Sequence, residues 1–151
     1  MHAHRLNAYN AAPEAMKAVL QVEAYIQHSS LEKSLIELVK MRASQINGCA
    51  YCLAMHSRDA RKGGETEMRL YLLNAWEESS LYSPRERAAL GWTDALTRVA
   101  DTHAPDAAWD EVRQHFTDKE AVDLTTLIGM INLWNRLAIG FRYEHPADDG
   151  K

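Results

Sequence analysis

The sequence predicts an all-α protein. Helix start signals recur along the chain, and apolar residues return between them at spacings of three and four. No segment sustains the period-two alternation of β-branched residues that marks a strand. Pro13 suits the first helical position, where its missing N–H costs nothing, and the run from Glu14 to Leu20 is rich in helix formers. Ser29 with Glu32 reads as a capping box opening a helix from about Ser30 to Ile46. Asn47-Gly48 then ends that helix and turns the chain. A further helix opens near Cys49 and runs to Gly63-Gly64, and Glu65 to Trp76 is periodic again. Ser83-Pro84-Arg85-Glu86 combines an N-cap, a proline at the first position and a glutamate at the third, and the helix it starts extends to about Ala100. Pro105 opens a shorter one through Trp109 and Val112 to Phe116. Thr117 and Glu120 form another box, whose helix runs to about Arg142. The count is about seven helices with short connections, in a single domain over 1–151 with its core at about 12–142 and a polar tail at 143–151.

Composition narrows the classes of function. Of 151 residues, 46% are hydrophobic and 25% charged, an ordinary globular mixture that argues against disorder. Seventeen Lys and Arg against 21 Asp and Glu leave a net charge of −4, which offers no basic stripe for nucleic acid. The first ten residues carry two histidines and an arginine but no apolar core, so they do not read as a secretory signal. The apolar stretch from Ala121 to Phe141 contains Asp123, Asn132, Asn135 and Arg136, which suits a buried helix better than a membrane span. That helix is apolar nearly all round, so subunit contacts and a central place in a monomer core are both open.

Chemistry concentrates in Gly48-Cys49-Ala50-Tyr51-Cys52-Leu53-Ala54-Met55-His56. Two cysteines are too few and too close for a disulfide scaffold, and a CxxC pair in a chain that needs no staple points to redox or metal chemistry in the reducing cytoplasm. On a helix, Cys49, Cys52 and His56 fall within a sector of roughly 60°, whereas Tyr51 points away from both sulfurs. Cys49 sits in the first turn, where free N–H groups and the helix dipole favour a thiolate. Cys52 lies one turn before His56, an imidazole able to take its proton. Helix position therefore favours a low pKa at Cys49 and the imidazole favours one at Cys52. Alternatives stay open on these residues: a zinc clip on both cysteines, His56 and a carboxylate, a non-enzymatic redox switch, or two inert core cysteines.

Glu37, then Cys49-x-x-Cys52, then His56 resembles the signature of the alkylhydroperoxidase D-like members of the carboxymuconolactone decarboxylase family. The resemblance extends through Asn132-Leu133-Trp134-Asn135-Arg136-Leu137, similar to the family's last-helix motif, and covers residues 12–142. It implies an alkylhydroperoxidase D-like helical bundle assembled as a trimer or hexamer. It implies an antioxidant thiol peroxidase or disulfide reductase, fed by an external dithiol of the lipoyl type and needing neither metal nor flavin. It maps the hydroperoxide-attacking thiol to Cys52, the resolving thiol and reductant contact to Cys49, and a proton relay to His56 and Glu37. Lactone decarboxylation, the reaction that names the family, works without a cysteine pair.

The residues alone do not select Glu37. It lies off the stripe of Leu31, Leu35, Leu38, Val39 and Ile46, and a solvated pairing with Lys33 or Lys40 explains it equally well. One position departs from the resemblance: characterised relatives carry a histidine before the second cysteine, and Tyr51 stands here. A phenol with a pKa of about 10 can donate a hydrogen bond but is no base near neutral pH. Asn135 and Arg136 fit a substrate anion less well than a buried Arg136–carboxylate pair between subunits. Trp76, Trp92, Trp109 and Trp134 read as packing residues. The other histidines form no ligand set, beyond weak metal binding by His2-x-His4.

Overall fold

A computed structural model describes residues 3–146 and is all-helical among them. The helices are α1 (Ala8–Ala11), α2 (Pro13–Gln27), α3 (Lys33–Asn47), α4 (Ala50–Lys62), α5 (Glu67–Leu72), α6 (Pro84–Thr97), α7 (Val99–Thr102), α8 (Asp106–His115) and α9 (Asp118–Phe141). A 3₁₀ turn at Leu73–Ala75 extends α5. His2 and the tail beyond Pro146 lie outside the described residues.

Helix starts fall where local chemistry puts them. Pro13 occupies the first turn of α2. Ser83 and Thr117 each accept a bond from the backbone N–H three residues on, and Glu86 and Glu120 reach back to close the boxes. Such caps contribute about 1 kcal/mol each. The Ser29–Glu32 box does not form. Ser29 Oγ donates to Ile26 O at 2.7 Å, closing the end of α2, and Glu32 is held by Arg85 Nε at 2.8 Å. With both side chains engaged elsewhere, α3 begins at Lys33. The helix from Pro84 breaks at Arg98 instead of running to Ala100, and the single turn of α7 follows. The single-turn helix α1, capped by Asn7, is an element the sequence reading missed.

The central helix is α3. Every residue from Leu38 to Ser44 is buried, including Lys40 and Arg42. Its cations are tolerated because each meets a carboxylate: Lys40 pairs with Glu23, and Arg42 makes a two-pronged bond to Asp94 at 2.6 and 2.8 Å. One side of α3 presents Leu35, Ile36 and Val39 to a core shared with α6, α8 and α9, built around Val112, Leu124 and Leu127. The other presents Leu38 and Met41 to a second cluster with Ala60, Leu73 and Leu90. The long α9 buries one broad face and exposes Val122, Leu133 and Ile139. Its C-terminus is tied down by the N-terminal segment, where Arg5 donates through its amide to Phe141 O and through its guanidinium to Gly140 O. No helix among the described residues is long and apolar enough to cross a membrane.

Candidate active site

The turn between α3 and α4 places the cysteines. Gly48 ends α3 in the left-handed region, at φ 69° and ψ 37°, where a Cβ would add strain. The amide of Cys49 returns to Ser44 O at 3.0 Å, and the chain reverses so that α4 packs along α3. Cys49 is the N-cap of α4, extended at φ −86° and ψ 95°, with its sulfur accepting from the Cys52 amide at 3.4 Å. It thus holds the place a serine or aspartate usually takes, just outside the helix and not within its first turn.

Both thiols are free and 1% exposed. They pack against each other and against Ala138 of α9, with the Tyr51 and Tyr143 rings laid against the group. Tyr51 therefore does not point away from the sulfurs. Because Cys49 is a cap, a wheel drawn through it misplaces its neighbours.

The two sulfurs sit in different electrostatic settings. The Cys49 thiol is lowered to about 7, chiefly because the Cys52 thiol donates to it; burial opposes, and the Cys52 amide, the Asn135 side chain and the Tyr51 amide add donors. The Cys52 thiol is pushed up, first because it is the donor in that bond, then by burial and by the neighbouring charge on Cys49; Asn135 and Ser44 pull the other way. The pair shares one proton near neutral pH, with the charge resting on Cys49. The lower value thus falls on Cys49, as the argument from helix position expected, but its chief cause is the Cys52 thiol.

Cys52 faces a cavity of about 460 Å³. His56 lies one turn beyond it on α4, 5% exposed, and its Nδ1–H donates to Glu37 Oε2 of α3 at 3.0 Å. That leaves Nε2 as the acceptor nitrogen. Glu37 pairs with neither Lys33 nor Lys40, since Lys40 is taken by Glu23. Glu23 also accepts from Trp134 Nε1 at 3.2 Å. Burial alone would raise the Glu23 carboxyl, but the bond and charge of Lys40, with help from Gln27 and Trp134, hold it below its ordinary value. Glu23, Lys40, Tyr9, Met55 and Tyr143 complete a wall that is half apolar and half paired charge. These were not legible as site residues, because they come from four helices and the segments beside them. Trp134 is more than packing.

Cys49 faces a second cavity, of about 400 Å³, with Gly48, Ala50, Ile139, Arg142 and His145. Tyr51, Ala138 and Tyr143 line both spaces and divide them.

Beneath the sulfurs, Asn135 Nδ2 donates to Ser44 Oγ at 3.0 Å and Asn135 Oδ1 accepts from Asn47 at 2.8 Å. Arg136 is exposed and donates to Asn132 O at 3.0 Å, and among the described residues it forms no buried carboxylate pair. The buried arginine pair is Arg42–Asp94. One donor atom each from Glu37, His56 and Asp59 lies within 4.8 Å of the others, an arrangement able to hold a cation. It leaves out both thiols, unlike the zinc set considered from the sequence.

The protein YdfG of Bacillus subtilis (strain 168) is 45% identical over 135 residues, spanning 89% of this chain and 92% of its own. A crystal structure of a protein of unknown function from Agrobacterium tumefaciens, described as a candidate antioxidant defence protein AhpD, is 49% identical with a TM-score of 0.94, covering 97% of this chain and all of that one. The debrominase Bmp8 shares the fold at a TM-score of 0.81 and 20% identity, over 91% of this chain and 74% of its own. The family model for carboxymuconolactone decarboxylases matches residues 12–95, which takes in Glu37, both cysteines and His56. With that match and the kinship to YdfG, the chain belongs to the carboxymuconolactone decarboxylase family.

Proposed function

We propose that the protein is a thiol-dependent peroxidase that reduces organic hydroperoxides through the Cys49–Cys52 pair. The observation that carries this reading is the grouping of Cys52, His56 and Glu37 on one partly apolar cavity, with His56 Nδ1 anchored on Glu37. The candidate antioxidant role of the Agrobacterium relative agrees with it.

His56 Nε2 takes the Cys52 proton, and the thiolate attacks the terminal oxygen of ROOH. The O–O bond breaks, Cys52 becomes a sulfenic acid, and RO⁻ takes the proton from His56 to leave as ROH. Glu37 stabilises the transient imidazolium. The Cys49 thiolate then attacks the Cys52 sulfur, and hydroxide leaves and takes a proton from solvent to become water. The product is a Cys49–Cys52 disulfide. An external dithiol, of the lipoyl type, enters on the Cys49 side and returns two electrons and one proton to the pair, releasing its second proton to solvent.

On this reading the enzyme works in the reducing cytoplasm as a homo-oligomer, a trimer or hexamer, whose contacts cover the apolar residues that α9 exposes. The test is steady-state consumption of cumene hydroperoxide by metal-free protein with dihydrolipoamide as donor. Turnover that disappears in both Cys49→Ser and Cys52→Ser is the expected result. Turnover retained by Cys52→Ser overturns the reading.

A further inference from the structure

We propose that Glu37, His56 and Asp59 form a site for one divalent transition-metal ion of the zinc class, and that the ion switches off the imidazole as a base by replacing the proton between Glu37 and His56. His56 and Asp59 are three residues apart on α4, which puts them on one face, and α3 carries Glu37 alongside. One donor atom from each lies within 4.8 Å of the others. His56 Nδ1 and Glu37 Oε2 stand 3.0 Å apart. Two ligands held at about 2.0–2.1 Å by a tetrahedral zinc lie about 3.3 Å from each other, so this pair needs almost no movement to take an ion. Asp59 is exposed, and among the described residues its carboxylate has no hydrogen-bond or ion-pair partner, so it is free to swing onto a third position. Water takes the fourth.

The class of ion follows from the donors. An imidazole with two carboxylates suits zinc and its first-row neighbours, whereas magnesium and calcium prefer oxygen alone. Charge favours a cation as well. Glu37 and Asp59 line both the cavity that Cys52 faces and an adjoining one of about 170 Å³. Around these spaces Lys40 is neutralised by Glu23, and Glu65 by Arg69, which leaves Lys33 alone against two carboxylates. With an ion on Nδ1 the ring proton sits on Nε2, and that nitrogen no longer has a lone pair for the Cys52 proton. No electron moves and no bond of the chain breaks, so the switch reverses when the ion leaves. The effect on turnover rests on the peroxidase reading; the site itself does not.

The test is calorimetric titration of the full chain with zinc chloride, with no hydroperoxide present. The background carries Cys49→Ser, Cys52→Ser, His2→Ala and His4→Ala, which removes the competing thiols and amino-terminal histidines; alanine replaces both serines if circular dichroism shows that the background does not fold. One zinc per chain is expected, with affinity falling by about tenfold or more in Asp59→Asn and in Glu37→Gln. Both substitutions keep the shape of the side chain and remove one ligand charge. Nitrogen-15 spectra of labelled histidine give a second reading, in which zinc moves the His56 proton from Nδ1 to Nε2. Absence of zinc binding, affinity unchanged in both variants, or a His56 tautomer that zinc does not alter overturns the proposal. Failure of the hydroperoxide assay overturns the peroxidase reading alone and leaves the measured site standing.

Discussion

Glu37 and His56 stand nineteen residues apart in the chain, on two antiparallel helices, and Glu37 Oε2 accepts from His56 Nδ1 at 3.0 Å. With Nδ1–H given to the carboxylate, Nε2 is left as the acceptor nitrogen. Glu37→Gln retains an acceptor for Nδ1–H but removes the charge that offsets an imidazolium. Hydroperoxide turnover is expected to fall about tenfold in Glu37→Gln and about 10²–10⁴-fold in His56→Asn. The Cys49 alkylation midpoint should stay near 7 in Glu37→Gln, since its lowering comes from other groups. Equal activity in wild type and His56→Asn would remove the imidazole from the mechanism.

The shared proton of the cysteine pair makes stability depend on pH with a definite sign. Cys49 is lowered in the folded state from 9.0 to about 7, so between those values the unfolded chain binds more protons. The reduced protein therefore gains stability as pH rises from about 7 to 9, and loses that contribution as pH falls through 7. Cys52 is shifted the other way, and above pH 9 the unfolded thiol ionises while the folded one resists, so stability declines again. Urea midpoints of reduced protein should trace this rise and fall. Oxidised protein has neither thiol and should show neither limb; parallel curves for the two forms would contradict the assignment.

Arg42 and Asp94 join α3 to α6 deep in the bundle, and Arg42 also donates to Asn74 at 2.9 Å while Trp76 Nε1 reaches Asp94 at 3.3 Å. Arg42→Met strands the Asp94 carboxylate and is expected to cost about 3–5 kcal/mol in denaturant unfolding. Adding Asp94→Leu should recover much of that loss, because an apolar pair removes the stranded charge. A double variant no more stable than the single one would show that the arginine's packing, not its charge, was what mattered.

How far the sequence could be read depended on the range of each interaction. Boxes at Ser83 and Thr117 are closed by groups three residues away, and both were legible. The Ser29 box was misread because Arg85, 53 residues on, competes for Glu32. Spacing alone brought Cys52 and His56 together on one helix, but Glu37 was chosen only by resemblance, since its wheel position favoured solvent. The surroundings of the sulfurs were hidden for the same reason. Lys40 would look exposed without Glu23, and Asn135 reaches Ser44 across 91 residues. The tail of α4 toward the double glycine was predicted well, whereas Tyr51 was misplaced because Cys49 caps the helix instead of joining it.

The left-handed turn at Gly48 also bears on how the molecule comes into being. It makes the α3–α4 hairpin a short-range object, so both thiols and the Glu37–His56 pair can meet early, with little loop entropy to overcome. Ala138, which packs on both sulfurs, arrives on α9, more than eighty residues later in the chain. During synthesis the cysteines thus emerge long before the helix that covers them. In a nascent hairpin the α9 side of the thiols is uncovered, and it is closed only when the last helix docks.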